Sequence, residues 1–159
     1  MRILGIDPGT GTTGYGLIDG NTDDDCKAVT YGVISTTPKE FMPIRLKILF
    51  EDINELIKEF KPDVFAIEEL FFFKNSKTVI TVSQARGVLL LAAIQNNLEI
   101  VEFTPLQIKQ TLTGYGRADK REVQEMVTHS LGLPKIPQPD DAADALGVAL
   151  CYLQTRIID

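Results

Sequence analysis

The chain has 159 residues, 44% of them hydrophobic, with a mean hydropathy of +0.04 and a net charge of −6. Those values suit one globular domain, residues 1–159, with a core of useful size, and exclude a disordered or fibrous chain. No apolar leader follows Arg2, and the strongest apolar stretch, 87–94, is far short of the roughly 20 residues of a membrane span, so neither a signal peptide nor a membrane partner is expected.

Arg2 to Asp7 is an apolar run stopped by Pro8-Gly9, which predicts a strand. Thr12 to Ile18 follows a tight glycine-rich turn as a second strand, and Cys26 to Thr36 follows the acidic turn 21–25 as a third. The short loops make these an antiparallel meander. From Phe41 to Phe60 the period changes: Ile44, Ile48, Leu49, Ile53, Leu56, Ile57 and Phe60 fall on one helical face. Lys61-Pro62-Asp63 ends that helix, and Val64 to Glu68 is a short buried strand, parallel to the first because a helix precedes it. A loop with Phe71, Phe72 and Phe73 leads to a long apolar segment, Ser76 to Asn96, expected to be a buried helix. Glu99 to Phe103 is a fifth strand. Thr104 caps the next helix with Pro105 at its first position, and Gly114-Tyr115-Gly116 ends it. Helices at Ala118 to Leu131 and Asp140 to Gln154, joined by a proline-rich connector, complete the chain. The order β-β-β-α-β-α-β-α-α-α predicts an α/β fold: a mixed five-stranded sheet flanked by helices on both faces.

Four carboxylates stand in or against apolar segments: Asp7, Glu68, Asp141 and Asp144. An unpaired charge is costly there. Asp7 ends the first strand and shares a face with Ile3 and Gly5, while Glu68 ends the fourth and shares a face with Val64 and Ala66. If those strands are parallel neighbours, the two acids lie side by side. Asp141 and Asp144 are three apart on one helical face. Such a set can hold two hard cations about 3.5–4 Å apart, the usual device for cleaving phosphodiesters. Each acid also has a bland reading. Asp7 suits a turn aspartate, Asp141 a helix-start charge and Asp140 an N-cap, and Glu69 faces away from Glu68.

The charge is unevenly spread. Residues 1–69 carry 7 Lys and Arg against 13 Asp and Glu, whereas residues 70–123 carry 7 against 4. The middle of the chain therefore supplies the candidates for phosphate contact: Lys74, Lys77, Arg86, Lys109, Arg117, Lys120 and Arg121. The two cysteines, Cys26 and Cys151, form neither a disulfide framework nor a metal pattern, which points to reduced thiols and a cytoplasmic setting. His129 lies outside every motif and is expected to be structural.

The opening Gly5-Ile6-Asp7-Pro8-Gly9 with Thr13-Gly14-Tyr15-Gly16, the strand Phe65-Ala66-Ile67-Glu68-Glu69 followed by Phe71 and Lys74-Asn75, the helix segment Gln84-Ala85-Arg86-Gly87, the pair Lys109-Gln110 with Gly114-Tyr115-Gly116, and Asp141-Ala142-Ala143-Asp144-Ala145-Leu146 together resemble the RuvC family of Holliday-junction resolvases. The resemblance runs along almost the whole chain. It implies the ribonuclease H-like fold and a homodimeric endonuclease that nicks two strands of a four-way DNA junction symmetrically. It also implies Asp7, Glu68, Asp141 and Asp144 as Mg²⁺-binding catalytic residues, which with two ions per site matches the reading of the four acids; whether Mn²⁺ substitutes stays open at this point. Lys109 and Lys120 would stand near the DNA backbone, Lys120 also serving catalysis, and Phe71 would contact junction bases. A branch-migration motor complex is a further partner that the resemblance suggests. Two other readings stay open: a related ribonuclease H-like nuclease acting on RNA, and a non-catalytic junction-binding module. The glycine-rich opening is also similar to the phosphate-holding hairpin of actin-like ATPases and sugar kinases, whose two-domain fold needs a longer chain.

Overall fold

The computed structural model describes residues 1–9, 11–70 and 76–158. Ten elements follow in chain order: β1 (Arg2–Asp7), β2 (Thr12–Asp19), β3 (Lys27–Ser35), α1 (Met42–Phe60), β4 (Val64–Glu68), α2 (Ser76–Gln95), β5 (Glu99–Phe103), α3 (Pro105–Thr113), α4 (Lys120–Ser130) and α5 (Asp140–Ile158). The five strands form one sheet in the order β3-β2-β1-β4-β5. β1 pairs antiparallel with β2 and β2 with β3, whereas β1, β4 and β5 run parallel. The mixed sheet and the central place of β1 are as the element order predicts.

Alternation along the strands divides the apolar residues between two cores. Ile3, Ile18, Val64, Ala66 and Phe103 face α3, α4 and α5. Leu4, Ile6, Leu17, Ile34, Phe65 and Ile67 face α1 and α2. Each fully buried Leu or Ile contributes roughly 1.5–3 kcal/mol. Odd positions of β1 therefore point to the α5 side, which is what carries Asp7 there.

Local chemistry explains most element ends. Thr104 and Gln107 form a capping box at the start of α3, with Pro105 in its first turn, and Gly114 closes it at φ 73°. Asp119 and Glu122 form a second capping box, so α4 starts at Lys120, two residues later than hydrophobic period alone places it. α5 starts at Asp140 and extends beyond Gln154 to Ile158.

The expectation of a buried α2 is overturned. One face packs on the sheet through Ala85, Leu89, Ala92 and Ala93, but Ile80, Leu91 and Ile94 are 66%, 49% and 58% exposed. The apolar residues of this helix are not segregated to one side, so periodicity could not tell which face the sheet covers. Among the described residues α2 is also the helix whose length and composition suffice to cross a membrane, with hydropathy 1.4 over Lys77–Gln95 and 22% of that window buried. The eight-residue stretch at 87–94 understated it. Its docking on the sheet is that of a one-sided packing helix.

α5 lies against β1 and β2 at unusually small separation. A Cβ placed on Gly5 would fall 2.1 Å from the Ala145 carbonyl oxygen, and one on Gly14 would fall 2.0 Å from that of Asp141. Gly16 meets Leu146 in the same way. The first of these obstacles are main-chain atoms, which cannot rotate aside. Gly14→Ala and Gly5→Ala should each destabilise the fold by about 1–3 kcal/mol or more through overpacking. Urea unfolding of the two variants checks this, and unchanged midpoints would contradict the packing.

Candidate active site

The acidic cluster is built from three elements. Asp7 ends β1, one residue past the last β1–β4 pair, Ile6 with Ile67, and Glu68 ends β4 at the same level. Asp7 is paired across to Gly14 on β2, the residue over which α5 passes. The first turns of α5 then bring in Asp141 and Asp144. Carboxylate oxygens of Asp7, Asp141 and Asp144 lie within 4.8 Å of one another. Glu68 adjoins this trio from the end of β4, near enough to Asp7 for the two carboxyls to influence each other. All four acids are half-buried.

Their electrostatics are those of a set with too much negative charge. Burial pushes the Asp7 carboxyl up to about 9, helped by the charges of Glu68, Asp144 and Asp141. A protonated Asp7 would have both Glu68 and Asp141 as acceptors. Glu68 is also raised by burial, with Asp7, Lys109 and Lys120 working in the opposite direction. Asp144 is raised by burial, partly offset by Lys120. Oxygen-only ligands gathered this closely suit a hard divalent cation, which would replace the missing positive charge.

Beside the acids lies a groove of about 280 Å³, with Glu68 and Asp144 on its acidic side and Lys109, Lys120, Ile108 and Val123 around it. Lys120 is the first residue of α4, and its Nζ is 3.4 Å from both Asp144 and Asp140. A larger hollow, about 590 Å³, lies at the opposite end of β1. Asp19, Asp25, Glu59 and Asp63 line it together with Arg2, Lys27 and Lys61, and Arg2 pairs with Asp19 at 2.8 Å, whereas the acids drawn close enough to share an ion among the described residues are Asp7, Asp141 and Asp144.

The other candidates divide. Lys109 is half-buried in the groove wall, and Arg117, Arg121 and Lys77 are exposed. Arg121 is engaged with Glu125 one turn on. Arg86 does not project outward as a phosphate contact would. It is ion-paired with Glu102 of β5, and its Nε donates to the Glu68 carbonyl at 3.4 Å. It therefore ties α2 to β4 and β5, a pairing that charge counting along the chain could not reveal. Asp140, expected as an N-cap, is the first residue of α5 and contacts Lys120. His129 is exposed on α4, away from the acids in the chain. Phe71 and Lys74, with Phe72, Phe73 and Asn75, lie outside the described residues. The glycines that admit α5 were missed as site residues. Their signal was present: Gly5, Gly14 and Gly16 share one sheet face, opposite Asp141, Ala145, Leu146 and Ala149 of α5.

With this geometry in view, comparison with known proteins is decisive. The family described as "Crossover junction endodeoxyribonuclease RuvC" matches residues 3–152. The chain belongs to the RuvC family. A crossover junction endodeoxyribonuclease RuvC of Caldicellulosiruptor saccharolyticus is 54% identical over 153 residues, covering 96% of this chain and 92% of the relative. One from Thermosipho melanesiensis is 52% identical over 157 residues, covering 98% and 99%. Among solved structures, T. thermophilus RuvC in complex with Holliday junction substrate superposes with a TM-score of 0.94 at 32% identity, covering 99% of this chain and 96% of that one. The yeast mitochondrial Holliday junction resolvase Ydc2 shares the fold at a TM-score of 0.71 and 16% identity, over 98% and 80% of the two chains. The ribonuclease H-like expectation therefore holds.

The raised Asp7 pKa has a measurable sign. The folded chain keeps this proton up to about pH 9, whereas an unfolded aspartate releases it near 4. The stabilising contribution of the carboxyl is full below about pH 4 and declines as pH rises toward about 9. In EDTA, Asp7→Asn should therefore gain thermal stability over the wild type progressively between pH 5 and pH 8. Melting curves that stay parallel over that range would refute the strained cluster.

Proposed function

We propose that this chain is a structure-selective endodeoxyribonuclease that resolves four-way (Holliday) DNA junctions by paired nicks, as a single nuclease domain acting in a homodimer. The observation that carries the reading is the convergence of Asp7, Asp141 and Asp144, with Glu68 beside them, on a lysine-bordered groove. Family membership and the junction-bound T. thermophilus relative support the choice of substrate.

In this reading Asp7, Glu68, Asp141 and Asp144 hold Mg²⁺, with Mn²⁺ as a substitute. The donor set fits, being all carboxylate oxygen and short of positive charge. Bound there as a pair, such ions supply a nucleophilic water at neutral pH and charge stabilisation at the leaving oxygen. The chain's own groups do the rest. Lys109 and Lys120 orient the scissile phosphate along the groove, and Lys120, kept protonated by Asp144 and Asp140 against the opposing effect of its partial burial, faces the charge that builds on the phosphoryl oxygens. Lys77, Arg117 and Lys74 extend the phosphate-contacting surface, and Phe71, three positions after Glu68 in the sequence, would contact junction bases. The local positive edge of the groove, not the net charge of −6, governs DNA approach.

A two-fold junction needs two sites. The exposed apolar side of α2, with Ile80, Leu91 and Ile94, supports its use as the contact between protomers.

One assay covers these points. On a synthetic immobile four-way junction in Mg²⁺, wild type should make paired incisions leaving 5′-phosphate and 3′-hydroxyl ends. Asp141→Asn should cut about 10²–10³-fold more slowly with an unchanged junction Kd, a loss on the scale of removing a catalytic electrostatic group. Leu91→Glu should sediment as a monomer and lose pairing of the nicks. Wild-type cutting by Asp141→Asn, or equal cutting of linear duplex, would defeat the proposal.

A further inference from the structure

We propose that Asp140 is a positioning residue that keeps Lys120 at the groove while Asp144 serves as a cation ligand. The inference rests on the metal-dependent nuclease reading above and deepens it.

Lys120 is poorly placed by its own helix. It is the first residue of α4, and an ammonium there meets the positive end of the helix macrodipole. Its position is instead set across the groove by α5. Nζ lies 3.4 Å from an Asp140 oxygen and 3.4 Å from an Asp144 oxygen. Asp140 and Asp144 are one turn apart, so they flank the ammonium from one helical face. The two carboxylates differ in every other respect. Asp144 belongs to the cluster of three acids; Asp140 does not. The Asp144 side chain is 28% exposed, and that of Asp140 is 53% exposed.

Asp144 therefore has two positively charged claimants. As a ligand it gives its oxygens to a divalent ion, and a lysine ammonium on the same carboxylate would be repelled. Of the two carboxylates touching Lys120, Asp140 is the one then left. It holds the ammonium within reach of a bound phosphate and removes it from competition for Asp144. Without Asp140, Lys120 either blocks the ligand or swings into solvent, and both outcomes weaken the site. The pair is half exposed, so the effect is moderate.

The ordinary alternative is that Asp140 only stabilises the start of α5 as a first-turn acid. That role does not depend on Lys120, so a double-mutant cycle separates the two. The proteins are full-length wild type, Asp140→Asn, Lys120→Ala and the double variant. Binding of Mg²⁺ alone is measured by calorimetry, and junction nicking by single turnover at saturating DNA. In the wild-type background, Asp140→Asn should weaken Mg²⁺ binding about three- to tenfold and slow nicking about tenfold, with junction Kd unchanged. In the Lys120→Ala background both effects should shrink below about twofold. Asp140→Glu should restore wild-type behaviour. Equal fold changes in the two backgrounds, or no change on Asp140→Asn alone, would overturn the assignment. If Asp140→Asn fails to fold, Asp140→Ser, which is compatible with a helix start, replaces it in the cycle. Failure of the nuclease reading itself would appear as a wild type that does not nick, and the Mg²⁺ isotherms would still decide the coupling.

Discussion

Where α5 crosses β1 and β2, main chain meets main chain. Gly5 and Gly14 leave no room for even a methyl group beneath Ala145 and Asp141. This contact sets the depth at which the helix lies, and the depth sets how closely Asp141 and Asp144 approach Asp7. A helix held off by ordinary side chains would sit several ångströms farther out, near the usual packing distance of about 10 Å between layers. The carboxylates would then be too far apart to share an ion.

That close approach has an electrostatic cost. Four acids crowd a half-buried corner, and burial together with mutual repulsion raises the pKa of Asp7 to about 9. Lys109 and Lys120 offset part of the repulsion from the groove side. The fold tolerates the strain because the packed glycine–helix contact and the two cores leave the acids nowhere to go. Carboxylates that repel one another in this way have the chemistry that a hard cation would satisfy. The same arrangement separates local from global charge: a net −6 chain still carries Lys109 and Lys120 at the groove, because much of its acidity lies elsewhere in the sequence.

Much of this was legible in the residues, for identifiable reasons. β1, β4 and β5 are bounded by Pro8-Gly9, Pro62-Asp63 and Thr104-Pro105, and these breakers act locally, so the strand limits followed directly. Asp7 and Glu68 came together because strand parity and parallel pairing are simple rules. Asp141 and Asp144 needed only the helical period to share a face. What escaped prediction depends on tertiary contact. The exposed side of α2 could not be read from a helix apolar all round. The pairing of Arg86 with Glu102 joins residues 16 apart in different elements. Asp140 looked like a cap because its partner, Lys120, is 20 positions away and approaches across the groove. The docking of α5 on glycines needed the register between β1 and β2 before its small residues had meaning.

The central claim is that acids distant in the chain hold divalent ions jointly. Diffraction from crystals soaked in Mn²⁺, with anomalous differences collected at the manganese edge, tests it directly. The account predicts density bonded to Asp7 together with Asp141 or Asp144, at about 2.0–2.3 Å from their oxygens. Manganese found only at isolated surface carboxylates, with the four acids bare at saturating ion, would contradict it.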